Sequence, residues 1–125
     1  YDTYNNIAKE SVLFMVKNDL KIKINNVMNY PNPFSESTSF SFEHDREEEL
    51  LEVSIEIINL SGKVIFNYTE IIENSNKLVK DIFWNGKNSN HQLVSDGIYI
   101  YKLHVKSLFD GAYNQSYKKM IKRKL

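Results

Sequence analysis

A period of two in the positions of apolar residues is the feature that most limits what this chain can fold into. Phe40 and Phe42 alternate with serine and glutamate, and Val53, Ile55 and Ile57 alternate with polar residues further along. Successive side chains of an extended strand point to opposite faces, so this pattern places one face of each segment against a core. Similar alternation occurs at residues 12–16, 20–24, 64–68 and 99–105, and more weakly at 77–84 and 115–121.

Turn residues separate these segments. Gly62 follows Ser61 between two alternating runs, where a tight hairpin needs a residue with positive φ. Asn85 with Gly86, and Asp96 with Gly97, mark two more turns. About eight strands at a spacing of roughly ten residues predict an all-β sandwich or barrel.

The segment from Tyr30 to Phe34 cannot be a helix. Pro31 and Pro33 lack a backbone N–H, and each pushes the residue before it toward extended geometry. We therefore predict a stiff corner in which Tyr30 and Phe34 are apolar anchors.

The composition excludes several classes of protein. Hydrophobic residues make up 42% and aromatic residues 13% of the 125 positions, too many for a disordered chain. The 16 basic and 16 acidic residues balance, whereas a dedicated nucleic-acid domain is basic. There is no cysteine for disulfides, zinc thiolates or thiol nucleophiles. No apolar run approaches the ~20 residues of a membrane span.

A domain boundary is predicted near Lys17, Asn18 and Asp19. Residues 1–18 offer one polar loop and one strand, and are read as the end of a preceding domain. Residues 19–125 hold the remaining strands and form one sandwich. Since the chain begins with Tyr1 and a polar stretch, we expect it to be a piece of a longer protein.

No catalytic, cofactor or metal site is predicted. His44, His91 and His104 lack the spacing of metal ligands, and no nucleophile-elbow motif accompanies them. The loop after Trp84 is rich in side-chain oxygens but has Asn85 where a calcium loop needs a carboxylate, so a hydrogen-bonded turn is expected. A cluster of acidic residues is interpreted as a solvated loop between strands. Its members are Glu43, Asp45, Glu47, Glu48, Glu49 and Glu52.

The C-terminal end is the best candidate for docking a partner. Five basic residues crowd its last eight positions, an arrangement that suits an anionic surface and also protects an edge strand. They are Lys118, Lys119, Lys122, Arg123 and Lys124.

Several segments together resemble one family. Residues 29–34 (NYPNPF) and 37–42 (STSFSF) resemble the opening of C-terminal domains carried by proteins of the type IX secretion system of Bacteroidetes. Residues 54–62 (SIEIINLSG) resemble their next strand and hairpin, and residues 118–121 (KKMI) their closing strand. Residues 84–87 (WNGK) and 93–103 (LVSDGIYIYKL) resemble immunoglobulin-like domains of the flagellar hook-capping type.

Three further segments resemble the sortase branch of this group. Residues 42–46 (FEHDR) are similar to the terminal domain of type IX sortases, which are related to gingipain-type cysteine peptidases. Residues 1–6 (YDTYNN) and 11–16 (SVLFMV) are similar to the end of the domain before it. Asn85 stands where the family usually has an acid. The motif positions carried by the resemblance are Tyr30, Pro31, Asn32, Pro33, Phe34, Gly62, Trp84, Gly86, Gly97 and Tyr99.

The resemblance implies an immunoglobulin-like antiparallel β-sandwich of about seven to eight strands. It implies a non-catalytic domain that addresses a cell-surface peptidase to the outer membrane, exported through the periplasm. The partners implied are outer-membrane type IX components, which form the shuttle and translocon, and an upstream peptidase domain of the same chain. No cofactor, nucleic acid or membrane span is expected. The alternatives are a structural spacer of another secreted enzyme or adhesin, and a carbohydrate-binding module built from the many aromatic residues.

Overall fold

The computed structural model describes residues 21–124, which form seven antiparallel strands in two sheets and no helix. The strands are β1 (Ile24–Tyr30), β2 (Thr38–His44), β3 (Leu51–Ile58), β4 (Val64–Ile72), β5 (Leu78–Trp84), β6 (Gly97–Ser107) and β7 (Tyr113–Lys122). Consequently this part of the chain has no helix that could span a membrane. The predicted strand at residues 12–16 and the predicted boundary at residues 17–19 lie outside the described residues.

The two sheets give the predicted immunoglobulin-like sandwich. One has three strands in the order β1-β2-β5, and the other has four in the order β4-β3-β6-β7. The turn between β3 and β4 is the predicted hairpin: the Gly62 N–H donates to the Asn59 carbonyl over 2.9 Å, and Gly62 has a φ of +89°. Glycine adopts this conformation without the steric cost that a Cβ would bring.

The core lies between the sheets and follows the predicted alternation. In β3 every second side chain is buried, and in β6 Tyr99, Tyr101, Leu103 and Val105 are buried. Phe40 of β2 meets Tyr101 of β6 edge to face, with 4.8 Å between ring centroids, so the two sheets interlock at that point. Each large apolar side chain buried in this way contributes about 1.5–3 kcal/mol.

The strand predicted at residues 20–24 is wrong in position over the described residues 21–24. Leu20, Ile22 and Ile24 alternate, but Lys21 makes only an isolated bridge to Tyr113, and β1 starts at Ile24 and continues to Tyr30. Ile22 is nevertheless fully buried. Alternation indicates which side chains face the core. Where β1 begins depends instead on where its backbone can pair with the backbone of β2.

The predicted core face of β4 is only partly covered. Val64 and Tyr68 remain about two-fifths exposed, and Phe66 is half-buried against the core. Since β4 is the edge of the wider, four-stranded sheet, the three-stranded sheet covers less of it. Several aromatic residues are exposed rather than packed in the core. These are Tyr30, Tyr68, Phe83, Phe109, Tyr113 and Tyr117.

Candidate functional site

The basic end of the chain is part of the fold rather than a free tail. Lys118, Lys119 and Lys122 lie on β7, and Arg123 and Lys124 follow it. Four of these residues are exposed, but Lys122 is buried and its ammonium lies 3.3 Å from an Asp96 carboxylate oxygen. The basic residues predicted as one cluster therefore divide into an exposed set and one structural ion pair.

Asp96 fixes the end of the chain. One carboxylate oxygen accepts a bond from the Lys124 backbone N–H at 3.1 Å, and the other accepts from the Lys122 ammonium. Together these donors lower the pKa of Asp96, the Lys124 N–H having the larger effect. Asp96 was predicted only as a turn residue, so this role was missed.

The proline-rich corner covers the outer edge of β7. The Asn32 side chain accepts a bond from the Ile121 N–H at 3.0 Å and donates to the Lys119 carbonyl at 3.4 Å, as a paired strand would. The Phe34 backbone extends this pairing, donating to Ile121 and accepting from Arg123. A partner strand therefore cannot add to this part of the edge without displacing the corner.

Only one of the two predicted anchors in that corner is correct. Phe34 is buried to 1% exposure and packs edge to face on Trp84, with 5.6 Å between centroids. Tyr30 is 78% exposed, because it lies on the outer face of the three-stranded sheet. Alternation within a strand sends Tyr30 and buried Asn29 to opposite faces. Both Tyr30–Pro31 and Asn32–Pro33 peptide bonds are cis.

A buried polar network holds the corner against the sandwich. The Asn29 amide donates to the Thr38 hydroxyl at 3.1 Å, and that hydroxyl donates to the Pro31 carbonyl at 2.8 Å. The Asn32 amide also donates to the Asn29 side-chain oxygen. From the sequence, Asn29 was identified only as part of the motif at residues 29–34. A polar residue at a core-facing position of a strand is the signal that such a network exists.

The loop after Trp84 is a hydrogen-bonded turn, as predicted. The Trp84 indole N–H donates to the Lys87 carbonyl at 2.9 Å, and the Asn85 side chain accepts from the Lys87 N–H at 3.1 Å. Across the same end of the core, the Tyr99 hydroxyl donates to the Ser95 carbonyl at 2.6 Å. Asn85 therefore fills its structural role without a charge. In residues 21–124 no group of acidic or histidine side chains is placed to hold a metal ion.

Gly86→Ala is expected to destabilise the domain by about 1–3 kcal/mol, near the upper end of that range. Gly86 has a φ of +76°, and a Cβ there would lie 2.8 Å from the Glu36 backbone carbonyl, which cannot move like a side-chain end. Urea unfolding would measure the loss. Gly62→Ala is the matched control, since Gly62 also has positive φ but open space around it. Equal losses in the two variants would contradict the close approach as the cause.

His44, which the sequence indicated only as neither a metal ligand nor a catalytic residue, is a buried structural residue. It is 2% exposed. Its Nδ1 accepts from the Arg46 N–H at 3.0 Å, and its Nε2 lies 2.9 Å from the Ser75 hydroxyl. Burial lowers its pKa. A proton on Nδ1 would point at the hydrogen of the Arg46 N–H and break this hydrogen bond. This is a second reason why the neutral form of His44 is favoured in the folded chain.

Stability is expected to fall as the pH drops from about 6.5 toward 5, by at most about 1.4 kcal/mol per pH unit from His44. A lowered folded-state pKa means that the unfolded chain binds more protons in this window, so acid favours unfolding. Urea unfolding across this window would show a flatter pH dependence in His44→Gln. His104 also has a lowered pKa, through partial burial and then Lys102, so its share remains in the variant. An unchanged slope in His44→Gln would contradict the assignment.

Arg46 organises the acidic loop at the opposite end of the sandwich. Its guanidinium contacts Asp110 at 2.8 Å and Glu49 at 3.3 Å, and donates to the Lys21 carbonyl at 3.2 Å. Glu49 also accepts from the Ser107 hydroxyl at 2.6 Å. The predicted loop is correct for Asp45, Glu47, Glu48 and Glu49 but wrong for Glu43 and Glu52, which lie in β2 and β3. Within the loop, Glu49 is bound by Arg46 and Ser107 rather than being a solvated charge.

Comparison with known proteins shows the family of this chain and finds solved structures that are similar to it. Residues 28–123 match the family described as secretion system C-terminal sorting domain. The crystal structure of dimeric latent PorU from Porphyromonas gingivalis is similar, with a TM-score of 0.70 and 26% sequence identity. The similarity covers 83% of this chain and 10% of PorU, so this chain matches a small part of that protein. No curated protein matches the chain.

Proposed function

Since this chain belongs to the family of secretion system C-terminal sorting domains, we propose that the exposed basic residues of its last strand are the surface read during export. The family's domain is a non-catalytic C-terminal signal for type IX secretion, and it directs the protein that carries it to the cell surface or outer membrane. What is proposed is the surface that carries the signal: Lys118, Lys119, Arg123 and Lys124, named here the basic face.

The observation that carries this proposal is the fixed backbone beneath the basic face. Asn32, Phe34 and Asp96 all bond to residues 119–124. The backbone that carries the four exposed cations is thus fixed at the edge of the four-stranded sheet, with Lys118 and Lys119 on opposite sides of β7, and this lowers the backbone entropy that a partner must remove on binding. Lys122 acts as a positioning residue through Asp96 and lies outside the contact set. A sandwich can also bind a partner by adding the partner's strand to a free sheet edge. This mode is disfavoured where the proline-rich corner covers β7.

The partner that fits this face is an acidic surface on an outer-membrane component of the type IX shuttle or translocon. Opposite charges steer encounter and set orientation, and the contribution weakens with salt. We further propose that the chain is the terminal domain of a surface peptidase of the sortase kind, with its catalytic domain upstream. The similarity to PorU at 26% identity supports this, although it covers 10% of that protein.

An export assay tests the basic face. The 125-residue chain is fused to a periplasmic reporter in a Bacteroidetes host with an intact type IX system, and surface exposure is measured by protease accessibility. Lys118, Lys119, Arg123 and Lys124 are changed together to glutamate. The control changes four other exposed lysines to glutamate: Lys63, Lys77, Lys80 and Lys106.

We expect the control to reach the surface and the basic-face variant to stay in the periplasm, with both folded by circular dichroism. Normal export of the basic-face variant would overturn the proposed surface. Failure of the unmodified chain would instead favour a spacer domain whose resemblance to sorting domains is limited to its fold.

One observation favours a second candidate, carbohydrate binding. Tyr30 and Phe83 lie on either side of Ser39 in the register of the three-stranded sheet, and they are 78% and 71% exposed. Exposed aromatic rings beside a hydroxyl suit the apolar face and polar rim of a sugar. Glycan-array binding that is lost in Tyr30→Ala and Phe83→Ala, and retained in Tyr117→Ala, would support this candidate.

A further inference from the structure

A sandwich of two open sheets has four edge strands, and in residues 21–124 these are β1, β5, β4 and β7. An edge strand presents unpaired N–H and C=O groups to which another strand can add. Natural sheets protect such edges with bulges, charges, prolines or covering loops. Three of the four edges in this part of the chain are protected in one of these ways, and β4 is not over most of its length.

The strands β1, β5 and β7 each carry a protecting feature. The register of β1 with β2 shifts between Asn25 and Met28, and Asn26 has a φ of +53°. On the other side of β2, the register with β5 also shifts, and the exposed Asp81 has a φ of +66°. The proline-rich corner covers the outer edge of β7. Because bulges twist an edge away from a straight partner strand, pairing along β1 and β5 is disfavoured.

The strand β4 lacks these features over residues 66–72. It contains no proline, lysine or arginine, and its one charged residue is Glu70. Its register with β3 is regular over this stretch. The irregularity in β4 is confined to Ile65, and there the Ser89 N–H covers the edge by donating to the Ile65 carbonyl at 3.0 Å. The rest of β4 is therefore a straight edge strand.

The backbone groups left unpaired on this edge can be identified, because alternate residues of a strand bond to opposite neighbours. The Leu50 carbonyl accepts from Leu108 on the β6 side, so the odd-numbered residues of β3 face β4, and their register partners are the even-numbered residues of β4. The odd-numbered residues of β4 therefore face outward. Past Ile65, their backbone groups bond to nothing else in residues 21–124. They are Asn67, Thr69 and Ile71.

The side chains beside this edge define the partner strand that fits it. On the core side, Tyr68 is 38% exposed and Phe66 is half-buried, because the three-stranded sheet covers less of β4. A groove of about 300 Å³ lies there between β4 and β5, and Glu70 and Ile72 line it from the β4 side. On the opposite face, Thr69 is polar and exposed. A partner strand with apolar side chains on one face and polar side chains on the other matches both sides of this edge.

We propose that residues 66–72 bind an extended segment of a partner protein, which adds as a further strand to the four-stranded sheet. The segment alternates apolar and polar residues, and it carries a lysine or arginine that meets Glu70 and Glu73, since residues 64–76 contain no cation of their own. Because β4 and β7 are opposite edges of one sheet, this partner leaves the basic face free. The proposal concerns a second surface and does not depend on the basic face being the export signal.

A synthetic strand peptide tests this edge. The probe is a fluorescein-labelled peptide in which valine and threonine alternate between terminal lysines, and fluorescence anisotropy measures its binding to the purified 125-residue chain. Thr69→Pro removes an outward N–H, whereas Thr69→Val keeps that N–H and the shape of the side chain. Both variants lose the hydroxyl contact between Thr69 and Ser54, so they differ in the backbone.

We expect saturable binding of the peptide to the unmodified chain and to Thr69→Val, and binding at least about tenfold weaker to Thr69→Pro. Equal binding by the two variants would overturn the proposal. Absence of saturation below about 100 μM chain would overturn it as well.

Amide exchange gives a second test that needs no variant. In the free chain, the N–H groups of Asn67, Thr69 and Ile71 should exchange faster than those of Tyr68 and Glu70, which bond to β3. Binding of the peptide should slow the first three and leave β1 and β5 unchanged. Slow exchange of the first three in the free chain, or slowing at another edge instead, would overturn the proposal.

Discussion

Phe34→Ala is expected to lower the free energy of unfolding by about 3–5 kcal/mol, enough to unfold a marginal domain. The ring is 1% exposed and packs edge to face on Trp84, so its removal leaves a cavity next to the largest side chain of the core. Its backbone also bonds to Ile121 and Arg123, which couples the loss to the C-terminal strand.

Urea unfolding measures this loss, and amide exchange locates it. The N–H of Arg123 should lose protection in Phe34→Ala, because its acceptor is the Phe34 carbonyl. Tyr30→Ala is the matched control, from the same corner but 78% exposed, and should change stability by less than about 0.5 kcal/mol. Similar losses in the two variants would show that the corner is not anchored through Phe34.

Arg46→Leu is expected to destabilise the domain by about 2–4 kcal/mol, a value below that for a fully buried pair because the carboxylates are partly exposed. The change leaves Glu49 and Asp110 side by side without their shared cation and removes the bond to the Lys21 carbonyl. Glu49, Asp110 and the Lys21 carbonyl belong to three separate parts of the chain, and all three lose the guanidinium that they share.

The matched control for Arg46 is Lys102→Met, which removes a pair with Glu56 on the exposed face of the four-stranded sheet. That change should cost at most about 1 kcal/mol. The dependence on pH gives a second check. Arg46 lowers the pKa of Asp110, so this part of the stabilisation is present above the ordinary carboxyl pKa and is lost as the pH falls below it. The difference between wild type and Arg46→Leu should therefore shrink in acid; a constant difference would contradict the ion-pair account.

The structure changes how a sorting signal of this kind is understood physically. Residues 119–124 are not a free peptide, because the Asn32 side chain, the Phe34 backbone and Asp96 hold their backbone in place. A receptor that reads them reads a folded surface. Loss of the corner should therefore impair recognition even when every basic residue is present.

The sequence allowed us to predict which residues belong to the candidate site, but not which of them are buried, exposed or bonded to one another. The basic run was evident in the sequence, yet nothing in it distinguishes Lys122, which is buried with Asp96, from exposed Lys119. Phe34 and Tyr30 were predicted to be equivalent anchors, and only Phe34 is buried. Arg46 was expected to lie in a solvated loop, and it bonds across the end of the sandwich.

Features that depend on neighbours along the chain could be predicted from the amino-acid order. A period of two fixes which face of β2, β3 and β6 is apolar, and Gly62 and Gly86 mark the turns because a local φ requires them. Features that depend on distant residues became visible in the folded chain alone. Asn32 covers β7 through bonds to residues 87 and 89 positions away. The physical reason is that side-chain periodicity is a property of one strand, whereas the cover of an edge or the burial of a lysine depends on which other segment lies beside it.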